Sequence, residues 1–145
     1  MRYVDNGGSI ILRKFTTIKL AFLFFAIFMT ATISLARDFT ARKKIDGYTV
    51  DMAINRNPPI VAKNELRVEI KDPHGKPVGD LKVMVNYYMP PMPGMAPMNY
   101  TVQATSKGDG YMVTMDLIMA GPWNIVIKTN VAGKRLAATF PIDVR

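Results

Sequence analysis

From residue 48 onward, apolar and polar residues alternate with a period of two, and turn-forming residues interrupt this pattern about every 8–12 positions. A strand points successive side chains to opposite faces of its sheet, so the alternation is typical of strands with one buried face. The sequence therefore predicts an all-β fold, an immunoglobulin-like β-sandwich of about seven strands. The predicted strands are residues 48–54, 65–70, 81–88, 100–105, 111–117, 123–128 and 136–144.

Two residues refine this prediction. Pro141 lies inside the last predicted strand and has no amide hydrogen for a strand ladder, which indicates an edge strand or a bulge. Trp123 begins the strand before it, and a single tryptophan on a sandwich strand is typical of the core. We therefore expect Trp123 to pack between the sheets and to bind no ligand.

The first 36 residues have the composition of a targeting segment. Basic residues, ending with Lys19, precede an apolar run over residues 20–36, which predicts a hydrophobic targeting helix. The run ends in Ser34-Leu35-Ala36, with small residues where a signal peptidase requires them. We expect cleavage after Ala36, and the alternative is an uncleaved N-terminal membrane anchor. Either reading predicts a periplasmic or extracellular domain over residues 37–145, secreted or anchored by the N-terminal segment.

Composition excludes several classes of function. The net charge of +8 is spread along the chain, and basic blocks interleaved with aromatic residues are missing, so we expect no nucleic-acid partner. The run Arg42-Lys43-Lys44 is predicted to be a solvated tail. The chain has no cysteine, which rules out disulfides and thiolate metal sites. It also lacks the nucleophile-elbow, phosphate-loop and zincin motifs, so we expect no enzymatic activity.

A proline-rich segment over residues 89–98 carries methionine at every third position. Polyproline II helix has three residues per turn, so Met89, Met92, Met95 and Met98 would share one face. The central Met92-Pro93-Gly94-Met95 matches a type II turn, with proline where φ is near −60° and glycine where φ is positive. Such a turn brings two or three thioethers together. If strands 81–88 and 100–105 pair, the segment is the tip of a long hairpin whose base lies between Tyr88 and Tyr100.

Thioether sulfur is a soft, neutral ligand, and among biological metals it prefers Cu(I). The spacing and the turn therefore predict a Cu(I) site. The alternative is that the methionines only plug one end of the sandwich, because methionine fills irregular apolar gaps. Met119 precedes the Trp123 strand and is predicted to lie near the loop, as a further thioether or as packing under the indole. His74, in a Pro-His-Gly turn, can join the site only if its turn lies at the same end of the sandwich. Weaker candidates are Met84, Met112 and Met115.

The order of several short segments resembles the YtkA-like domain family, a relative of the FixH proteins. The resemblance covers nearly all of residues 37–145, and its most specific part is the methionine–proline loop followed by a Gly-x-Trp segment. It implies an exported or membrane-anchored β-sandwich, often associated with metal efflux or with copper-oxidase assembly. The segments are residues 47–50, 64–66, 72–78, 89–95, 110–111 and 119–123.

These observations lead to two functional hypotheses. The first is an exported copper-binding domain that holds Cu(I) through the methionine-rich loop and takes part in copper handling or delivery. The second is an interaction module that binds no metal and docks through the same loop to a membrane oxidase or an efflux complex. Replacing methionine with leucine separates them, because leucine keeps the apolar volume and removes the sulfur.

Overall fold

The alternation of apolar residues corresponds to strands in the structure, a computed structural model that describes residues 37–145. The predicted targeting segment and its cleavage site lie outside the described residues. Within the described part the chain forms nine strands in two antiparallel sheets, so the all-β sandwich is confirmed. No helix in residues 37–145 has the length and apolar character needed to cross a membrane. The strands are β1 (Phe39–Ile45), β2 (Tyr48–Ile54), β3 (Ala62–Lys71), β4 (Met84–Tyr88), β5 (Asn99–Gln103), β6 (Thr105–Lys107), β7 (Gly110–Leu117), β8 (Gly121–Val131) and β9 (Lys134–Val144).

The two sheets have the strand orders β1-β2-β3-β7-β6 and β5-β4-β8-β9. Two of the nine strands differ from the sequence prediction. Residues 42–44, predicted to be a solvated tail, lie in the edge strand β1, where they pair with residues 49–51 of β2. The predicted strand 100–105 is divided at Ala104, whose amide donates to the carbonyl of Val83 (2.9 Å) before the chain continues as β6 in the other sheet.

The core lies between the sheets and is built from the inward-facing residues of every long strand. Trp123 is 1% exposed, which confirms its predicted core position. Tyr111 is equally buried, and its hydroxyl donates to the carbonyl of Val78 (2.9 Å) and accepts from the amide of Leu81 (3.1 Å). These bonds fix the β3–β4 connection. Pro141 lies in β9, the edge strand of the four-stranded sheet, as predicted.

Strand directions divide the connections between two ends of the sandwich. Three connections lie at one end, which we call the loop end: residues 55–61, 89–98 and 118–120. Backbone bonds join the two sheets there, because Val61 donates to the carbonyl of Arg145 (2.9 Å) and Arg145 donates to the carbonyl of Pro59 (2.9 Å). The remaining turns lie at the opposite end, which we call the far end. The methionine-rich segment therefore shares its end with the β2–β3 and β7–β8 connections.

Candidate functional site: a methionine-lined hairpin tip

The methionine-rich segment is the tip of a hairpin formed by β4 and β5, as the sequence predicts. Tyr88 pairs with Asn99, and beyond that pair the amide of Met89 donates to the carbonyl of Met98 (3.1 Å). Tyr100 lies opposite Tyr87, one register position further from the tip than expected. The hairpin is therefore closed by backbone bonds up to the first and last methionines of the segment.

One side chain secures the base of this hairpin. The amide nitrogen of Asn86, on β4, lies within hydrogen-bond distance of three acceptors on β5. They are the side-chain oxygen of Asn99 (2.6 Å), the carbonyl of Tyr100 (2.9 Å) and the hydroxyl of Thr101 (3.1 Å). The two strands that carry the tip are thus held in one register on both sides of Tyr100.

The turn at the centre of the tip has the predicted geometry. Met95 donates its amide to the carbonyl of Met92 (3.2 Å), and Gly94 has a φ of 78°. A type II turn requires a positive φ near 80° at its third residue, which glycine adopts without a steric cost. The Pro93-Gly94 pair therefore folds the segment back on itself, and Met92 and Met95 flank the turn.

The four loop methionines line a single cavity of about 160 Å³. They divide into two pairs. Met89 is only 6% exposed and belongs to the core, and Met98 packs partly against it. Met92 and Met95, beside the turn, are 37% and 40% exposed. The cavity therefore has a fixed inner wall of two packed thioethers and an outer wall of two accessible ones.

The other candidate methionines are placed differently. Met119 lies in the β7–β8 connection at the loop end, where its carbonyl accepts the indole N–H of Trp123 (2.9 Å) and its side chain packs against the core. It is not among the residues that line the methionine cavity. Met84 and Met112 lie near the far end of their strands, and Met115 is fully buried in the core. The structure thus brings together the four loop methionines and leaves these side chains outside the cavity.

His74 lies at the far end, in the turn that follows β3. Its amide and that of Lys76 both donate to a carboxylate oxygen of Asp72, at 2.8 and 2.9 Å, and these bonds lower the pKa of Asp72. His74 therefore lies at the opposite end of the sandwich from the methionine loop and cannot join that site. Within residues 37–145, His, Asp and Glu side chains form no group of three arranged to hold a metal ion.

Three aromatic rings lie beneath the hairpin tip. The ring of Tyr87 stacks on that of Tyr100 with centroids 5.3 Å apart, and both approach the indole of Trp123, at 6.1 and 6.4 Å. Burial raises the pKa of Tyr87, so its hydroxyl stays protonated and neutral at physiological pH. The tip therefore rests on an aromatic layer that includes the only tryptophan of the chain.

Met89 also fixes the position of the tip relative to β8. A Cβ atom placed on Gly121, the first residue of β8, would lie 3.2 Å from the terminal methyl carbon of Met89. Gly121 has a φ of 120°, a conformation that residues with side chains rarely adopt. Because Gly121 has no side chain, the end of the Met89 side chain can pack against the start of β8.

A larger cavity, of about 510 Å³, lies on the outer face of the five-stranded sheet. The carboxylate of Asp51 accepts from Arg42 (3.1 Å to Nη2) and from Lys71 (2.9 Å), and these bonds lower the pKa of Asp51. Glu69 completes the group through Lys71 (3.3 Å) and Arg67 (2.9 Å). The contact between Arg42 and Asp51 depends on the pairing of β1 with β2, and β1 was not among the predicted strands.

Comparison with known proteins identifies the family of this chain. No curated protein matches the sequence significantly. The sequence profile of the YtkA-like family matches residues 42–128, which is more than half of the chain and includes the methionine hairpin and the Trp123 segment. The two-sheet sandwich agrees with the fold that the resemblance implies. The chain therefore belongs to the YtkA-like family.

Proposed function

We propose that this protein is an exported copper-binding domain that holds Cu(I) through Met89, Met92, Met95 and Met98. The observation that carries the proposal is the single cavity lined by all four side chains. Thioethers bind Cu(I) as soft neutral donors, and they lose no proton on binding, so affinity should vary little with pH. A role in copper handling or delivery follows from a site at the surface, where a metal can be received and released.

The division of the four methionines supports this role. Met89 and Met98 are held by packing and by the hydrogen bond between their backbones, which keeps the inner donors in place before a metal arrives. Met92 and Met95 are exposed, so an incoming ion can reach them first. Met119 ranks behind these four as a ligand, because its side chain packs against the core and does not line the cavity.

A Cu(I) titration against a chelator of known affinity tests the proposal. We expect the wild-type protein to remove Cu(I) from the chelator, and the variant with all four loop methionines changed to leucine to lose this ability. The matched control changes Met84 and Met112 to leucine, since both are partly buried methionines outside the cavity. Trp123 fluorescence reports folding in every variant. Unaltered Cu(I) binding by the four-leucine variant would contradict the proposal.

The second candidate function is docking of the same tip to a membrane oxidase or an efflux complex without metal. The exposure of Met92 and Met95 favours it, because flexible apolar side chains suit adaptable recognition surfaces. Complementation separates the two functions, in a deletion strain whose loss of the protein makes it sensitive to copper. Rescue by the leucine variant and not by a serine variant supports docking, whereas failure of both supports metal binding.

Export of the domain is part of the proposal. It rests on residues 1–36, which are either removed as a signal peptide or retained as an anchor. We assign the protein no enzymatic reaction, because the chain offers no recognised nucleophile, phosphate-binding loop or metal-hydrolase motif.

A further inference from the structure

The exposed apolar side chains of the described domain are concentrated at one end. The large hydrophobic residues with more than a third of their surface exposed all lie at or beside the three loop-end connections. Ile118 is the most exposed, at 51%, although it lies only one residue beyond the core residue Leu117. Large apolar groups collected on one surface mark an interaction site, whereas single scattered ones need no explanation. These residues are Val61, Met92, Met95, Tyr100 and Ile118.

The far end has the opposite character. Charged residues lie in or beside each of its turns, and residues 37–145 place no large exposed hydrophobic side chain there. Asp72 accepts three backbone amide bonds within one of these turns, two at its carboxylate and one at its carbonyl. The large exposed apolar side chains of residues 37–145 thus lie at the loop end, which also carries the exposed charged residues Arg56 and Arg145. The charged residues in or beside the far-end turns include Asp46, Asp72, Lys76, Asp109 and Lys134.

The direction of β1 identifies what the loop end faces. Phe39, the first residue of β1, pairs with Ile54, the last residue of β2, so the chain enters the domain at the loop end. Only Arg37 and Asp38 separate β1 from the apolar run over residues 20–36. Two extended residues span roughly 7 Å, so a bilayer that holds this run must pass close to the loop end.

We infer that the loop end lies against the surface of a lipid bilayer, with residues 20–36 retained as the anchor. The exposed side chains of Val61, Met92, Met95 and Ile118 contact the interfacial region, and the exposed aromatic ring of Tyr100 suits the same layer. The far end points into the aqueous compartment. The inference selects the anchored alternative for the N-terminal segment, and it does not depend on copper binding.

The absence of cysteine makes this orientation directly measurable. A single cysteine at Ile118 marks the loop end, and one at Lys134, the exposed first residue of β9 at the far end, is the matched control. Each full-length variant is labelled with a polarity-sensitive fluorophore and reconstituted into vesicles of phosphatidylcholine and phosphatidylglycerol. We expect blue-shifted emission, quenched by spin-labelled lipid, for the label at 118 and water-like, unquenched emission at 134. A cysteine at Val61 repeats the measurement in case the first substitution disturbs folding.

The opposing outcomes are distinct. Water-like emission at both 118 and 61 overturns the inference. Blue-shifted emission without lipid quenching also overturns it, because it shows a protein neighbour, either a second copy or a membrane partner, in place of lipid. Intact mass of the protein from the expressing cell provides an independent check. We expect the full chain in the membrane fraction, and a soluble protein that begins near Arg37 would refute the anchored arrangement.

Discussion

Replacing Gly121 with alanine tests whether backbone conformation at the start of β8 holds the methionine tip in place. Gly121 has a φ of 120°, in a region that residues with a Cβ atom rarely adopt. The new methyl group would also lie 3.2 Å from the terminal carbon of Met89. The substitution therefore combines a backbone cost with a side-chain contact that is tighter than usual.

The two contributions differ in size. A residue forced into a sparsely populated backbone region costs about 1–3 kcal/mol. The contact with Met89 adds less, because the end of a flexible thioether can shift by a few tenths of an ångström. We therefore expect Gly121→Ala to lower the free energy of unfolding by about 1–3 kcal/mol. In a domain of this size each kcal/mol corresponds to a fall in Tm of about 4–8 °C.

Urea unfolding followed by fluorescence measures this change, because Trp123 is the only tryptophan and is buried in the core. Gly79→Ala is the matched control, since Gly79 lacks a positive φ and its added Cβ would meet no atom within 4 Å. We expect the control to stay within about 0.5 kcal/mol of wild type. Adding Met89→Leu to Gly121→Ala should recover little stability if the backbone dominates. Equal stability of Gly121→Ala and Gly79→Ala would refute the reasoning.

Three further substitutions test other contacts. Tyr111→Phe should destabilise by about 1–3 kcal/mol, because it leaves a partly buried amide and carbonyl unpaired; no change in urea unfolding would contradict this. Asn64→Ala should cost a similar amount and increase amide exchange in residues 55–61, since this buried side chain donates to two carbonyls. Arg42 and Lys71 lower the pKa of Asp51 in the folded protein. The stabilisation that Asp51 provides is therefore complete above its unfolded-state pKa, about 3.9, and is lost as the pH falls through the lower folded-state pKa. Asp51→Asn should reduce this acid-side loss of stability, and an unchanged pH profile would contradict the assignment.

The sequence predicted the sandwich because most strands bury one face completely. Residues 48–54 alternate between core and surface, and the predicted strand coincides with β2. β1 was not predicted, since its inward face is only partly buried and Arg42-Lys43-Lys44 interrupts the apolar pattern. Its position depends on pairing with β2, which is a tertiary effect. Of the short strand β6, only Thr105 was predicted as strand, at the end of the predicted strand 100–105, because only the buried Ala104 marks the change of sheet.

The methionine tip was predictable from local chemistry, whereas its division into two pairs was not. Proline and glycine determine the turn between Met92 and Met95 through their own backbone preferences. The burial of Met89 depends on Gly121, which is distant in sequence and adjacent in space. Val61 and Ile118 are single apolar residues in connections, and no sequence periodicity joins them to the tip. Only the strand directions show that all of these residues share one end.

Metal binding requires a sulfur ligand and membrane contact requires an apolar side chain, and methionine has both properties. Its sulfur can bind Cu(I), and its unbranched apolar chain can lie at a lipid surface. Leucine supplies the apolar volume alone, so the four-leucine variant should keep its position at the bilayer while losing Cu(I) binding. Serine at Met92 and Met95, the exposed pair, should weaken the membrane contact and leave the two packed thioethers in place. If the leucine variant lost both properties together, a single metal-dependent conformation would have to account for them, and the two proposals would no longer be independent.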